Sequence, residues 1–386
     1  MAQESDQSVT QDQEEAVNVQ GTTGSYSGIE DIINDVRTTL SRDLPQFTIL
    51  GMGDRNLAIA SQLSFDAAHR KNDLASEALT GATAFGSGYL KRGSIDGYVG
   101  LYLNTFADIS LTPRDSFSLD LEQAYFGLLI AKSKTKIGFI RSSIYQSELW
   151  RYERALPSIS LALNFGKYQG EILYSFLPYE KKDRPTISEN FPYTVTLALR
   201  RDLDGPSSQF LRSISLMLTA VEDVPSELAE QYFVKGNTVT RGRYSSALDY
   251  QMLTGGISWK LDGELTTRDR LTSSWEVLRN FMVPEKDGKS YGLWADLIYH
   301  RQLNNPVPTS CYFGYKGYSI GADAILAEFS NRNLEFTGTN GHGPSAGCAY
   351  GSLKVEGNLW FIEPRRVSIY KRKTRTVVFS ITNKLF

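Results

Sequence analysis

The chain has little of what soluble enzymes rely on most. Among 386 residues there are three histidines (His69, His300 and His342) and two cysteines (Cys311 and Cys348). So few imidazoles and thiols leave thin material for acid–base or metal chemistry. The cysteines could pair in an oxidising compartment or both stay reduced. A zinc site built on them with His342 would need further ligands at a recognisable spacing, and none is present. No run approaches the ~18 consecutive apolar residues of a transmembrane helix, which excludes helical membrane proteins but not barrels. Charge of one sign is also lacking. Lys+Arg is 41 and Asp+Glu is 43, a net charge of −2, so nothing in the electrostatics points to nucleic acid. The apolar share of 41% falls below the roughly 45–50% usual in globular domains.

No basic stretch and no apolar stretch follows Met1. Ala2-Gln3-Glu4 instead resembles the start of a mature secreted chain carrying an added initiator methionine. Gly51-Met52-Gly53 resembles the opening of a dinucleotide fingerprint, but Asn56 replaces the third glycine and no βαβ pattern follows. A glycine-rich lead into a first strand is the better reading. None of the three histidines has a serine in a strained turn beside it, so each reads as a surface or rim residue. No motif calls for a cofactor, and enzymatic activity is not expected.

Aromatic side chains are plentiful: 21 Tyr, 19 Phe and 5 Trp. Residues 1–26 hold few of them. That segment is Gln, Ser, Glu, Asp, Thr and Gly, too poor in apolar groups to offset its ordering entropy, and reads as a disordered tail. One helix is predicted over 27–46. Ser27 and Glu30 fit a capping box, and Ile29, Ile32, Ile33, Val36 and Leu40 fall at helical spacing. This apolar stripe needs a partner and could serve as a plug or a partner-binding element.

From about residue 56 the period shortens to two. Ile95, Val99, Leu101, Leu103 and Ile109 alternate with Asp96, Tyr98, Tyr102, Asn104 and Asp108. The same alternation predicts strands near 56–68, 117–129, 135–145, 158–165, 168–178, 194–200, 209–221, 253–262, 266–281, 289–302, 309–315, 318–326, 346–356, 359–370 and 376–382. The Gly-rich stretch 337–347 reads as a turn cluster. The expectation is all-β: about sixteen long antiparallel strands, in a range of about 14–18, that must close to remove their edges. A soluble barrel of that girth would enclose a void. In a membrane barrel the apolar face meets lipid and the polar face lines water, with rings at the strand ends. The alternative is a large secreted sandwich or propeller.

Three features carry a family resemblance. They are the run of long two-faced strands, the final strand Thr376–Phe386, and the hairpin Leu121-Glu122-Gln123-Ala124-Tyr125-Phe126-Gly127-Leu128 with Lys136-Ile137-Gly138-Phe139. On these, residues from about 56 to 386 resemble a Gram-negative outer-membrane β-barrel of the porin type, and the barrel domain is expected over 47–386. Phe386 is in phase with Ser380, Thr382 and Lys384, so either a bulge precedes it or the terminal signal differs from the usual one. The resemblance implies an outer-membrane location among lipid and lipopolysaccharide, assembly through the C-terminal strand by the barrel-assembly machinery, and a homo-oligomer or another envelope protein as partner. It implies passive diffusion of small hydrophilic solutes, with a plugged structural barrel or a polymer or lipid export channel as alternatives. Charges that could line the lumen are Asp96, Asp108, Asp120, Glu122, Arg141, Glu171, Arg200, Arg212, Lys260 and Asp296.

Overall fold

The computed structural model describes residues 48–384 apart from 53–54, 73–75, 93, 109–114, 131–132, 142–143, 146, 151–154, 178–191, 204–209, 225–239, 242–247, 284–288, 304–308, 326–328, 330–336 and 366–372. The predicted tail, the predicted helix and Phe386 lie outside the described residues. In chain order the strands are β1 (Thr48–Met52), β2 (Arg55–Asn72), β3 (Ser76–Arg92), β4 (Ile95–Asp108), β5 (Asp115–Ile130), β6 (Ser133–Ile140), β7 (Leu156–Phe165), β8 (Tyr168–Phe176) and β9 (Tyr193–Asp202). They continue with β10 (Leu211–Val224), β11 (Thr240–Arg241), β12 (Leu248–Glu264), β13 (Asp269–Asn280), β14 (Tyr291–Leu303), β15 (Thr309–Ile320), β16 (Thr339–Tyr350), β17 (Leu353–Pro364) and β18 (Thr374–Lys384).

Sixteen of these strands form one closed antiparallel barrel. Each pairs with its neighbours in sequence, β10 pairs with β12, and β18 closes the ring on β2 with Thr374 opposite Asn72 and Lys384 opposite Gln62. β1 is a short addition on β2, and β11 on β12. No α-helix occurs among the described residues.

The alternation seen in sequence sets the two faces, with the polarity of a globular sheet reversed. On β9 Thr194, Thr196 and Ala198 turn inward and are buried, while Leu197 and Leu199 stand exposed on the outside. On β10 Ser213, Ser215 and Thr219 face in, and Leu216 and Leu218 face out. On β18 Thr376, Ser380 and Thr382 face in, and Val377 and Phe379 face out. An apolar exterior around a polar interior is the arrangement a lipid solvent favours. One end of the barrel has short connections, at 93–94, 131–132, 166–167, 265–268 and 351–352. The other has the long ones, at 141–155, 177–192, 225–247 and 321–338.

Several predicted elements differ from the structure. β3 was not expected. The runs 309–315 and 318–326 were expected as two strands, but β15 covers Thr309–Ile320 and the chain then turns away. The Gly-rich stretch lies largely in β16, paired along its whole length with β15 and, except at Gly343 and Pro344, with β17. Glu122 is the extra residue of a bulge, since Gly100 pairs with Gln123 and Leu101 with Leu121. Gln123 and Tyr125 therefore do not continue the row of Leu119 and Leu121. Not every ring sits at a rim: Tyr312 and Trp360 point into the lumen, and Trp360 is buried there. Gly51 and Met52 end β1 in a tight hairpin, Met52 opposite Arg55, where a dinucleotide fold would need a helix.

Candidate functional site: a charged passage beneath inward-folded loops

The connection 141–155 turns inward and crosses the lumen. Ile144, Leu149 and Trp150 are buried, Leu149 completely. Exposed at a watery rim these side chains would be costly, and inside the barrel they find apolar partners. The loop docks on β13, on the far side of β8, β9, β10 and β12 from its own root on β7. Its anchor is the buried carboxylate of Glu276. Glu276 Oε1 accepts from the Tyr145 hydroxyl at 3.0 Å and from Ser147 Oγ, and Oε2 accepts the backbone N–H groups of Glu148 at 2.8 Å and Leu149 at 3.0 Å. Four donors satisfy a buried charge that would otherwise be prohibitive. Burial, and then the neighbouring Glu276 carboxylate, push the Tyr145 hydroxyl well above its ordinary range, so it remains a donor. Two glycines form the seat. A Cβ on Gly256 would stand 2.5 Å from the Tyr145 hydroxyl, and one on Gly292 would stand 3.2 Å from Leu149 Cδ1.

A second connection also folds in. Thr254 Oγ1 donates to the Ala324 carbonyl at 3.1 Å, and Asn280 Nδ2 donates to the Asp323 carbonyl at 2.8 Å. The two loops meet where Trp150 stacks on Phe329, ring centroids 4.8 Å apart.

Below them, towards the short-turn end, a cavity of about 770 Å³ runs along the inner face of β9, β10, β12, β13 and β14. Arg200, Arg212, Lys260 and Arg270 line its wall, with Asp202 and Asp262 between them, and Glu148 and Asp296 line it too. Asp262 is buried and receives Arg212 Nε at 3.1 Å, Arg270 Nε at 2.5 Å and Arg270 Nη2. The Arg212 and Arg270 side chains are themselves 46% and 54% exposed. Their guanidinium groups are thus fixed by a buried carboxylate while facing the cavity. Arg200 is held likewise by Asp202 at 2.8 Å. Asp296 breaks into the β13–β14 ladder, where its carboxylate takes the Ser274 N–H at 2.7 Å.

Of the charges expected in the lumen, the structure brings Arg200, Arg212, Lys260 and Asp296 to this one cavity. Glu171 is buried in the wall elsewhere, accepting from Ser160 Oγ at 2.9 Å. Asp96 is buried among Tyr89, which donates to it at 2.9 Å, and Lys134. Gly127 leaves the room for it, because a Cβ there would stand 1.9 Å from Asp96 Oδ1. Arg141 starts the inward loop. Asp108 ends β4 opposite Leu79, and Asp120 lies opposite Tyr102. Sequence reasoning missed Asp202, Asp262, Arg270, Glu148 and His300. Asp202 and Arg270 stand at the strand ends, where alternation is weakest. His300, read as a surface or rim residue, lines the cavity near the short-turn end of β14 with its Nε2 2.9 Å from Thr272 Oγ1.

Cys311 and Cys348 are directly opposed on β15 and β16 and joined by a disulfide. They sit near the short-turn end, in the same outward row as the exposed Phe313 and Tyr350. Among the described residues no three His, Cys, Asp or Glu side chains are placed to hold a metal ion.

No protein-family model matches the chain, and no curated protein matches it. Solved structures do. Pseudomonas putida OprB superposes with a TM-score of 0.56 over 90% of this chain and 96% of its own, at 9% identity. Salmonella typhi OmpF, solved in complex with daunomycin, superposes with a TM-score of 0.52 over 88% of this chain and 100% of its own, at 12% identity. Both are outer-membrane porins. The fold is of the porin type.

Proposed function

We propose that the protein is an outer-membrane channel through which small hydrophilic solutes diffuse passively. The carrying observation is the cavity wall. Two guanidinium groups locked onto one buried carboxylate, Asp262, remain about half exposed inside a closed barrel whose outer surface is apolar. A polar passage with fixed charges has no use in a barrel that water does not enter, and rings of such charges set solute preference in pores. Basic side chains crowd one wall, and Glu148 descends from the inward loop, so the field runs partly across the passage. Charged and dipolar solutes are then oriented as they pass.

The reading extends to the surroundings. The apolar wall sits in outer-membrane lipid and lipopolysaccharide, the long connections face outward and the short turns face the periplasm. The C-terminal strand is the part offered to the assembly machinery, and a second copy of the chain is the expected neighbour in the membrane. The protein needs no catalytic group for this task. Reconstitution into a planar bilayer tests the proposal. Discrete conductance steps are expected, and folded protein that gives none overturns it.

A further inference from the structure

β1 fixes where the chain enters the barrel wall. β2 pairs with β3 from Arg55 to Lys71, so β1, opposite Arg55–Ile59, must share the other edge of β2 with β18. The last paired residue of β18, Lys384, lies opposite Gln62. Traced back towards the chain start, β1 climbs from the short-turn rim and stops at Thr48, opposite Ile59. Only Ala60 and Ser61 separate that point from the partner of Lys384, so the edge above Thr48 is already taken. A chain entering β1 therefore comes from the lipid side, from the lumen or from the short-turn rim. Residues 1–26 are dominated by Gln, Ser, Glu, Asp and Thr, which hydrocarbon does not accept. The lumen and the rim remain.

The lumen wall beside that exit is already covered. Ala68, Phe85 and Val378, on β2, β3 and β18, are only 4%, 4% and 1% exposed, yet they stand apart from the apolar cluster that the inward loops form. Gln62 Oε1, Ser380 Oγ and Thr382 Oγ1 on the same wall are buried with no hydrogen-bond partner among the described residues. An open aqueous lumen would wet this wall as it wets Arg270 across the barrel, so something occupies it. The stripe of Ile29, Ile32, Ile33, Val36 and Leu40 supplies an apolar face at helical spacing. About 20 residues of helix span roughly 30 Å, enough to run the height of a membrane barrel.

We propose that residues 27–46 run through the lumen against the β18–β2–β3 wall, with this stripe over Ala68 and Val378. The cavity along β9–β14 is then the lane left open, and the segment narrows the channel without closing it. The step that excludes the outer face rests on the membrane reading above; the covered lumen wall does not.

Both native cysteines are engaged in the disulfide, so an added cysteine reports alone. In the full chain, Val378→Cys and Thr272→Cys are made separately and reacted with a bulky water-soluble maleimide. Folding is verified in each case by gel migration before and after boiling. Val378→Cys should label slower than Thr272→Cys by on the order of tenfold or more, and should gain most of that rate when Ile32→Asp and Ile33→Asp are added. Val36→Asp replaces the double change if that variant does not fold. Equal labelling of the two cysteines, or a Val378→Cys rate unmoved by the helix substitutions, overturns the proposal. Labelling does not depend on conductance. A folded barrel that fails to conduct would therefore remove the channel reading and leave this result standing.

Discussion

The carboxylate of Glu276 accepts the backbone N–H of Leu149 at 3.0 Å, joining β13 to a loop rooted on the far side of the barrel. Together with Tyr145, Ser147 and the Glu148 amide, this contact holds the connection 141–155 inside the lumen. Replacing Glu276 by Ala removes an acceptor shared by four donors of the loop. The expected loss is about 2–4 kcal/mol of loop docking. Trypsin reads it directly, because Arg151 and Arg154 lie in this loop. The parent chain should resist cleavage there in its folded form and the variant should be cut. Equal resistance would mean that the loop is held by its apolar contacts alone.

Gly256 predicts a change of the same kind from the opposite side. A side chain there meets the Tyr145 hydroxyl and Leu278 at 2.5 Å. Gly256→Val should therefore push the loop off its seat, at a cost of about 1–3 kcal/mol. Conductance should become larger or noisier while the heat-modifiable gel shift is kept. Gly292→Ala meets only the tip of Leu149, at 3.2 Å, and should be the milder of the two.

Gly127 is where the porin-like hairpin makes its tightest demand. A Cβ at this position would collide with Asp96 Oδ1 and force the carboxylate away from Lys134 and Tyr89. Gly127→Ala should lower the stability of the folded barrel by about 1–3 kcal/mol, read as a lower temperature for loss of heat-modifiable migration. Ion selectivity should not change, because this cluster does not line the charged cavity.

The disulfide predicts the converse. Cys311 and Cys348 lie in the outward row of strands already paired along their whole length. The double substitution to Ser should shift the mobility of the boiled, non-reduced chain and leave single-channel conductance as it was. A changed conductance would place the pair's influence inside the pore.

How much of this was legible in the sequence depended on where the large apolar side chains fall. β9 puts them on the outer face, and β10 and β18 put most of them there with Met217, Val221 and Val378 as inward exceptions, so their alternation is plain. β3 does not. Its outward row runs Ala82, Ala84, Gly86 and Gly88, while Phe85 points inward, so its alternation carries almost no contrast. β16 hid for another reason. Its glycines look like turn formers, but Gly341 and Gly347 leave room for the rings of Tyr318 and Tyr312 on the neighbouring strand, and the ladder on both sides supplies the extended conformation. Missing β3 and dividing β15 in two cancelled, so the expected strand number agreed with the structure although these assignments, and the run 346–356 that crosses the turn between β16 and β17, did not. The cavity charges were legible where they lie mid-strand, as with Arg200, Lys260 and Asp296. Glu148 was not, because no local pattern marks a loop that turns inward. Its placement comes from Glu276, which is distant in sequence.

Ion selectivity under a salt gradient tests the central claim most directly. If solutes pass along the wall of Arg212 and Arg270, changing both to Gln removes two positive charges that face the passage. The reversal potential of single channels should then move towards cation preference, most strongly at low ionic strength where screening is weakest. An unchanged reversal potential, from variants that still conduct and still show the heat-modifiable shift, would contradict the claim that this charged wall lines the route of permeation.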